Sequence, residues 1–374
     1  MSAERMTNLV ARALQLTPTQ LLASFRPAGA VDLEGVLALR HGLFGAQCYW
    51  DDRAYLKWRY RFGSNSAGRG ECWVLQLDGR VVGMVGTEDI ELCRGEQRIA
   101  AWSTMDIAIA PAFEGSGLGG WMNLRLCEAA GCAITIGSNE KSRNMISRTF
   151  RRLPNRRSYV LPIRFERILA KRLKSPAVAR VVSIPLDVAA AAWRFILRCG
   201  VSNDVKIRPM TSFGSEVNEL VLRAADPQAW QIERSVEFLT WRLLANPRVR
   251  YSVLGAYKQD LLVGYLATMQ YGARTKALSL VLVDWCVDRT WFAQVFEALC
   301  AAALQSATES GADTVGITVY HPQAERVARH LGFIPRFAEF ETVAVYATDV
   351  EKLHALLAAA SWDLTEANTD RDDI

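Results

Sequence analysis

The sequence predicts an α+β (mixed α/β) fold that is built twice in tandem, each copy a largely antiparallel mixed sheet flanked by helices. Short similarities recur at a nearly constant offset along the chain, which is the mark of an internal repeat. The recurring pairs, at offsets of 182, 183, 181 and 181, are Phe25-Arg26-Pro27 with Ile207-Arg208-Pro209, Tyr55 to Arg59 with Phe238 to Arg242, Val82-Gly83 with Val263-Gly264, and Pro154 with Pro335. The 374 residues also suit two domains of about 180 residues each.

In the first copy, hydrophobic periodicity predicts a leading helix and then strand, helix, helix, three strands, helix, strand, helix and strand. Asp78-Gly79 between two hydrophobic runs is the clearest hairpin signal in the chain. This order predicts a mixed sheet with a central crossover. The elements are a helix at Thr7–Leu22, a strand at Ser24–Pro27, helices at Ala30–Gly45 and Tyr55–Tyr60 (the second capped by Asp51 and Asp52), strands at Cys72–Leu77, Val81–Thr87 and Ala100–Ile109, a helix at Leu118–Ala130, a strand at Ala133–Gly137, a helix at Asn144–Leu153 and a strand at Ser158–Arg164.

The second copy repeats this plan. Its elements are a strand near Val205, helices at Gly214–Ala225 and Val236–Leu244, strands at Tyr251–Tyr257, Leu261–Gln270 and Ala277–Asp284, a helix at Trp291–Glu309, a strand at Thr314–Tyr320, a helix at Ala324–Leu331 and a strand at Glu339–Tyr346. Between the copies, Phe165–Asn203 is helix-prone in two pieces divided by Pro176 and Pro185. We therefore divide the chain into a first domain (1–164), a basic helical connector (165–204), a second domain (205–350) and a C-terminal helix with a disordered polar tail (351–374).

The composition excludes several classes of protein. Half of the residues are hydrophobic and 22% are charged, as in globular proteins with a sizeable core. Eight cysteines lack C-x-x-C spacing and four histidines lack metal-ligand spacing, so no metal site is predicted. The opening residues show no signal peptide, and the most apolar stretch, Val181–Leu197, is interrupted by Pro185, Asp187 and Arg194. These features predict a cytoplasmic protein.

A glycine-rich loop, Glu114–Gly120, lies between the strand predicted at Ala100–Ile109 and the next helix, in the first copy only. The second copy has Val287–Phe292 there, with no glycine. A pyrophosphate needs close backbone approach and free amides, which glycines and a helix N-terminus supply together. A tight strand-to-helix turn that binds nothing explains the same glycines equally well.

The run Met105–Gly119 resembles motif A of the GNAT family of acyl-CoA N-acyltransferases, written V-x-P-x-[YF]-[RQ]-x-x-G-x-[GA]. The residues in register are Ile109, Pro111, Phe113, Gly117 and Gly119. The second copy resembles motif B of the same family through His321–Ala324 and His330–Phe333. The resemblance covers about Ser24–Arg164 and Val205–Tyr346, and it specifies the fold more closely than the substrate.

The resemblance implies acetyl-CoA or another acyl-CoA as the cofactor. By this analogy the pyrophosphate is held by Gly115, Ser116, Gly117, Leu118, Gly119 and Gly120, and backbone amides around Ile109 contact the acyl carbonyl. Two positions depart from the family pattern. Glu114 stands where Arg or Gln is usual, and the tyrosine that protonates the leaving thiolate in many members falls near Ser147 here and at Ala328 in the second copy.

Transfer to an amine also needs a proton acceptor. Strand alternation puts Asp106 on one face with Thr104 and Ala108, opposite the face of Ser103, Met105, Ile107 and Ile109. A buried Asp in an apolar strand needs a partner, so Asp106 is the first candidate base, with Glu88 and Tyr159 behind it. The alternative is that Asp106 caps a loop or pairs with an arginine.

Arg148–Arg180 contains eleven Lys or Arg residues and one acid, Glu166. A solvated connector explains this stretch as well as either of two functional interpretations. In one, Arg148, Arg151 or Arg152 meets the phosphates of the donor. In the other, the basic residues and nearby apolar ones contact an anionic membrane from its inner face. No nucleic-acid-binding motif is present, and the net charge of +5 alone does not indicate nucleic acid.

The sequence therefore predicts an N-acyltransferase that moves an acyl group from acyl-CoA or an acyl carrier protein to an amine, such as an amino sugar or a lipid-linked acceptor. Two alternatives stay open. One is a Fem-like aminoacyl transferase, which also doubles this fold but does not need the glycine loop. The other is a sensor or scaffold that binds acyl-CoA without turnover. Trp58, Tyr60 and Trp241 are interpreted as core anchors, and the oligomeric state is left open.

Overall fold

The structure is a computed structural model that describes residues 3–45, 53–63, 68–137, 140–154, 156–200, 204–272, 277–336, 342–359 and 361–369. The predicted caps Asp51 and Asp52 and the last five residues of the tail lie outside these ranges. The helices are α1 Ala3–Ala13, α2 Pro18–Ala23, α3 Leu33–Phe44, α4 Arg53–Arg59, α5 Leu118–Ala130, α6 Glu140–Thr149, α7 Glu166–Leu173, α8 Pro176–Gly200, α9 Glu216–Ala224, α10 Val236–Leu239 (continued by a π-helical turn, Thr240–Leu244), α11 Phe292–Glu309, α12 Pro322–His330 and α13 Val350–Leu357.

The strands follow the predicted plan with several short additions. They are β1 Phe25–Pro27, β2 Tyr60–Arg61, β3 Gly70–Leu77, β4 Arg80–Arg94, β5 Gln97–Ile109, β6 Cys132–Ile136, β7 Arg151–Arg152, β8 Arg157–Pro162, β9 Lys206–Met210, β10 Ala229–Ile232, β11 Tyr251–Lys258, β12 Leu261–Tyr271, β13 Ser279–Val287, β14 Thr314–Val319, β15 Ile334–Arg336, β16 Val343–Ala347 and β17 Ser361–Asp363. The prediction of a mixed α/β fold with two sheets is confirmed.

Both sheets mix strands from the two halves of the chain. The first sheet contains β10, β16 and β17 from the second half, and the second sheet contains β8 from the first copy. The main path of the first sheet has the order β1-β3-β4-β5-β6-β16-β7, with β2 paired to β3 and with β10 paired to β4 and β17. The second sheet has the order β15-β8-β14-β13-β12-β11-β9. In the first, Val345 of β16 lies opposite Ile134 of β6, and in the second, Tyr159 of β8 lies opposite Ile317 of β14. The expectation that β8 and β16 complete the sheets of their own copies is wrong. Burial pattern alone identifies a strand as internal, but it does not say which of two equivalent sheets receives it.

Local turn signals are confirmed most closely. Asp78 and Gly79 both have positive φ, 47° and 74°, as a two-residue hairpin turn between β3 and β4 requires. Helix α5 has the predicted bounds. The leading helix, however, is two helices, because Thr17 caps α2 and exchanges hydrogen bonds with Gln20 in a capping box.

The connector differs from its prediction at Pro185, which lies inside α8 and does not divide it. Proline removes one backbone donor, and this one is solvent-exposed, so water can reach the carbonyl left free. Within α8, Pro176–Ile196 is long and apolar enough to cross a membrane, by length and composition alone. Core helices of globular proteins can have the same length and composition, but they are mostly buried. Of the most apolar 18 residues of this helix, 11% are buried.

The polar tail was expected to be disordered from Glu366 onward, and its described part is instead buried between the copies. Thr365 is fully buried, and Glu366 and Thr369 are nearly so. Arg242 donates to the carbonyl oxygens of Ala367 and Thr369 at 3.0 and 2.8 Å. Tail carbonyls thus satisfy a buried guanidinium, a role that polarity along the sequence does not reveal.

The two copies share one central core. It is formed by α3, α4 and β4 of the first copy with α9, α10, β12 and β13 of the second. At its centre Trp58 and Trp241 stack with ring centroids 4.7 Å apart and planes 18° apart. Each indole N–H donates to the main-chain carbonyl of the other residue, at 3.2 and 3.1 Å. Both aromatic residues therefore serve as core anchors, and they join the two copies.

We expect Trp58→Ala and Trp241→Ala each to lower the free energy of unfolding by about 3–5 kcal/mol, because each change opens a cavity and strands a carbonyl of its partner. The double variant should cost less than the sum of the two, since they share one contact. Urea denaturation would measure all three. Trp291→Ala, at a half-exposed tryptophan, is the control and should cost far less. Additive losses at positions 58 and 241 would contradict the shared contact.

Candidate functional site

The glycine loop leads directly from β5 into α5. After the turn Pro111–Phe113, Gly115 and Gly117 both have a φ of 81°, which side chains with a Cβ rarely adopt. Gly117 is the N-cap of α5, and the hydroxyl of Ser116 accepts a hydrogen bond from the amide of Leu118 at 3.3 Å. The loop is therefore a specific strand-to-helix turn, set by its glycines.

Four amides of this turn are free. Among the described residues, those of Gly115, Gly117, Gly119 and Gly120 donate to no protein acceptor. The first amides of a helix have no partner within the helix, and together they carry the positive end of its dipole. An anion with several oxygens, such as a pyrophosphate, matches this arrangement.

The lack of a side chain at each glycine of this turn has a different structural reason. A Cβ on Gly115 would meet nothing within 4 Å, so this side of the loop is open. A Cβ on Gly119 would lie 3.4 Å from Ile109, and one on Gly120 would lie 3.0 Å from Met6 of α1. Gly119 thus lets α5 approach β5, and Gly120 lets α1 cover one side of the turn. The part of α1 in this site was missed, because nothing in its sequence marks a contact with the loop.

Strands β5 and β6 separate beside the loop. They pair in parallel only at Trp102 with Ala133 and at Ser103 with Ile134. In the described residues, β5 from 104 to 109 pairs with β4 on one side and has no partner in β6 on the other. This leaves a gap between two central strands at the C-terminal end of β5, which is the end that leads into the glycine loop.

A β-bulge lies in β5 at the start of this gap. Asp106 has a φ of 52°, and the register between β4 and β5 shifts between Met84 and Gly86. Met105 contacts the guanidinium of Arg59, and Asp106 also faces the central core, so the two neighbours share a face. The predicted alternation is wrong at Met105 for this reason, since a bulge inserts one residue and resets the faces.

Asp106, the first candidate base, is held by two buried partners. Its side chain is 3% exposed, and its carboxylate lies 3.6 Å from Arg40. The hydroxyl of Tyr60 donates to it at 2.5 Å. Burial, and then the charge of Asp106, raise the pKa of Tyr60 well above its usual range, so this phenol stays a donor. These are the contacts of an ion pair that fixes the bulge.

Glu88, like Asp106, lies on the face of the first sheet that packs against the central core. Its carboxylate lies 3.6 Å from Arg59, and both side chains are buried. Arg59 in turn lies over the rings of Trp58 and Trp241, 6.0 Å from each centroid. Glu88 is therefore tied to the contact between the copies, and its role as a base stays a prediction.

Tyr159 does not lie in the first sheet. The exchange of β8 places it in the second sheet, where its hydroxyl donates to Glu325 of α12. Arg329 donates to the same hydroxyl at 3.2 Å. Burial and the contact with Glu325 raise the pKa of Tyr159. It is thus remote from the glycine loop along the fold, for a reason that strand prediction does not provide.

Helix α6 borders the site through Met145, which lies 3.4 Å from the Cβ position of Gly120. Arg148, one turn later, is exposed and makes no ion pair with a described residue. Ser147 is exposed and its hydroxyl donates to Asn144 of its own helix, whereas Ala328 is buried in the second core. Neither of these positions provides the phenol found in many GNAT enzymes.

The corresponding turn of the second copy contains its own anion. The carboxylate of Asp288 accepts from the amide of Thr290 at 3.0 Å and pairs with Arg223 at 2.9 Å. Asp288 thus caps the short turn Arg289–Trp291 that precedes α11, and its charge opposes a bound anion there. In the first copy Ala110 precedes the equivalent turn, Pro111–Phe113, which has no side-chain cap, and the glycines follow it.

By sequence, the chain matches no protein-family profile and no curated protein. By structure, it is similar to a GCN5-related N-acetyltransferase from Anabaena variabilis, with a TM-score of 0.59 and 12% identity over 87% of this chain and 73% of the other. It is similar to Saccharomyces cerevisiae N-myristoyltransferase with bound myristoyl-CoA, with a TM-score of 0.54 and 10% identity over 87% and 83%. A tandem GNAT protein from the clavulanic acid biosynthesis pathway gives a TM-score of 0.51 and 15% identity over 86% and 97%. The chain therefore has the GNAT fold, that of the GCN5-related N-acetyltransferases, twice in tandem.

Proposed function

We propose that this protein is an N-acyltransferase that binds one acyl-CoA at the first copy and transfers its acyl group to an amine. The observation that carries the proposal is the set of four free glycine amides at the N-terminus of α5, beside the gap between β5 and β6. The amides suit the pyrophosphate, and the gap suits an extended pantetheine arm. Unpaired backbone groups along the edge of β5 suit the acyl carbonyl.

The glycine loop is the basis for proposing an acyl-CoA donor, but it does not indicate the length of the acyl chain. Structural relatives include an N-acetyltransferase and an N-myristoyltransferase with bound myristoyl-CoA, so the fold accommodates short and long acyl groups. Acetyl-CoA and longer acyl-CoA are both candidates, as is an acyl carrier protein, whose phosphopantetheine lacks the pyrophosphate. The proposed acceptor is a small amine, with amino sugars and lipid-linked amines as the classes to test.

Two other functions make different use of the loop. A Fem-like aminoacyl transferase would leave the free amides without a purpose, so the loop disfavours it. A non-catalytic acyl-CoA sensor would keep the loop and lose the acid, and the side chains of Ser147 and Ala328 favour this function. A sensor and an enzyme would both bind acyl-CoA, so a binding measurement does not distinguish them. Only an enzyme would release the free thiol of CoA when an amine acceptor is added.

Gly117→Val should weaken acyl-CoA binding at least about ten-fold, because a branched side chain both strains the positive φ and crowds the anion site. Isothermal calorimetry with acetyl-CoA and myristoyl-CoA would measure this, with one equivalent bound by the native protein. Acyl-pantetheine, which lacks the pyrophosphate, should bind more weakly and show little difference between native and variant.

The matched control is Gly311→Val, which adds the same branched side chain at a glycine of similar φ (75°) in the second copy and should leave binding unchanged. Thermal melting of both variants would separate loss of the site from loss of the fold. Two equivalents bound by the native protein, or full binding by Gly117→Val, would refute the assignment to the first copy.

We further propose that Asp106 positions the β5 bulge and is not the proton acceptor. Asp106→Ala should lower the free energy of unfolding by about 3–5 kcal/mol, because it leaves the buried Arg40 without its counter-charge. Asp89→Ala removes an exposed carboxylate paired with Arg61 and is the control, with an expected loss below about 1 kcal/mol.

The double variant Asp106→Asn with Arg40→Met separates the two roles. It removes both buried charges, keeps an acceptor for Tyr60, and keeps a residue type that tolerates a positive φ. A positioning role predicts near-native stability and retained turnover with an unchanged pH profile. Loss of turnover in a stable, acyl-CoA-binding double variant would show that Asp106 is the base.

A further inference from the structure

On helix α8 the polar side chains face the protein and most apolar side chains face outward, which is the reverse of an ordinary surface helix. The stripe that packs on the protein is Ala179, Ser183, Asp187, Ala190 and Arg194, spaced at intervals of four, four, three and four. The remaining surface is mostly apolar and exposed. Ordinarily the apolar side of an amphipathic helix faces the core, so this surface needs an apolar partner.

The packed stripe fixes which side faces outward. Asp187 accepts from the amide of Phe165 at 2.8 Å, and Arg194 donates to the carbonyl of Ile163 at 3.4 Å. Trp193 donates to the carbonyl of Leu331 at 3.2 Å. Polar side chains thus hold α8 to the second sheet and α12, and Val181, Val188 and Phe195 are 68%, 64% and 69% exposed on the outside.

The basic stretch Arg148–Arg180 contains residues with and without acidic partners. Arg156, Arg157 and Arg167 pair with Glu366, Glu325 and Asp313 respectively. Four cations between the end of α7 and the second turn of α8 are exposed and make no ion pair within the described chain. This set, the basic border of α8, is Lys171, Arg172, Lys174 and Arg180.

We propose that the outer face of α8 and its basic border bind the surface of an anionic lipid bilayer, with α8 lying in the interface. An apolar helical face next to unpaired cations is the pattern of interfacial membrane helices. The helix is about 37 Å long at 1.5 Å per residue, so a single element supplies an extended contact. A membrane-spanning position would pull Asp187 and Arg194 away from their partners and into hydrocarbon.

A second copy of the chain is the competing occupant. In a two-fold dimer through this face, the basic border of one molecule would meet or flank that of the other. Four cations on each side, with Glu166 as the one acidic residue of the basic stretch, oppose such an interface. An anionic membrane offers the complementary charge. The proposal is independent of the donor site, which lies in the other copy.

Vesicle flotation with the full-length protein tests the proposal. We expect binding to phosphatidylcholine vesicles that contain phosphatidylglycerol, weaker binding to phosphatidylcholine alone, and a decline as salt is added. Reversing the basic border to Glu (Lys171→Glu, Arg172→Glu, Lys174→Glu, Arg180→Glu) should reduce binding at least about ten-fold, since several cations act together at the lipid surface. Val181→Ser with Ile184→Ser and Val188→Ser should reduce binding at low and at high salt alike, because these changes remove apolar contact and leave the charge unchanged.

Matched controls keep the net charge and the loss of exposed apolar surface equal. The charge control reverses four exposed basic residues elsewhere, Arg80, Lys206, Arg250 and Arg326, and the apolar control changes Val31, Leu222 and Val350 to Ser. Both controls should bind vesicles as the native protein does. All variants should melt near the native temperature and keep the native affinity for acyl-CoA or for any other ligand found.

Three outcomes would overturn the proposal. They are absence of native binding to anionic vesicles, equal losses in variants and matched controls, and a native dimer that Val181→Ser with Ile184→Ser and Val188→Ser converts to a monomer without any vesicle binding. The last outcome would assign this face to a second copy of the chain.

Discussion

The reciprocal contact of Trp58 and Trp241 is the constraint on which the arrangement of both copies depends. Each indole has only one polar donor, and each donor is used on the backbone of the other residue. Neither tryptophan can be buried in this way without the other copy. Around the pair lie Arg59 and Arg242, whose guanidinium groups lie 6.0 Å from an indole centroid, so the contact carries buried charge as well as stacking. Glu88 and the carbonyls of the tail then offset that charge.

The exchange of β8 and β16 also makes each copy depend on the other, because each sheet is completed by a strand from the other copy. Strand β6 is flanked by β16, which comes from the second half of the sequence, and β14 is flanked by β8 from the first half. The gap beside the glycine loop lies between β5 and β6, so one wall of the candidate site is supported by a strand from the other copy. The second copy therefore has a structural purpose in the first site.

Local features were predictable from the sequence, and long-range ones were not. The hairpin at Asp78-Gly79 and the bounds of α5 follow from turn chemistry and helix capping, which act over a few residues. The destination of β8 depends on which of two similar strands, β6 or β14, it pairs with, and the hydrophobic pattern of β8 does not distinguish them. The bulge at Asp106 was missed because alternation assumes an even register. The sequence allows an ion pair of Asp106 with an arginine, but it does not identify Arg40 as the partner, because Arg40 is remote in sequence.

The turns that lead into α5 and α11 differ in sequence and in hydrogen bonding. Before α11, Asp288 caps the short turn Arg289–Trp291, and such a cap is worth about 1 kcal/mol. The equivalent turn before α5, Pro111–Phe113, follows Ala110 and has no side-chain cap, and Gly115 and Gly117 come after it with a φ of 81° each. Glycine adopts this φ without strain, so these two residues let the chain turn into α5 while their own amides stay open. The first copy thus forgoes a stabilising cap where the second copy has one, and this difference is the reason that the proposed anion site is placed at α5.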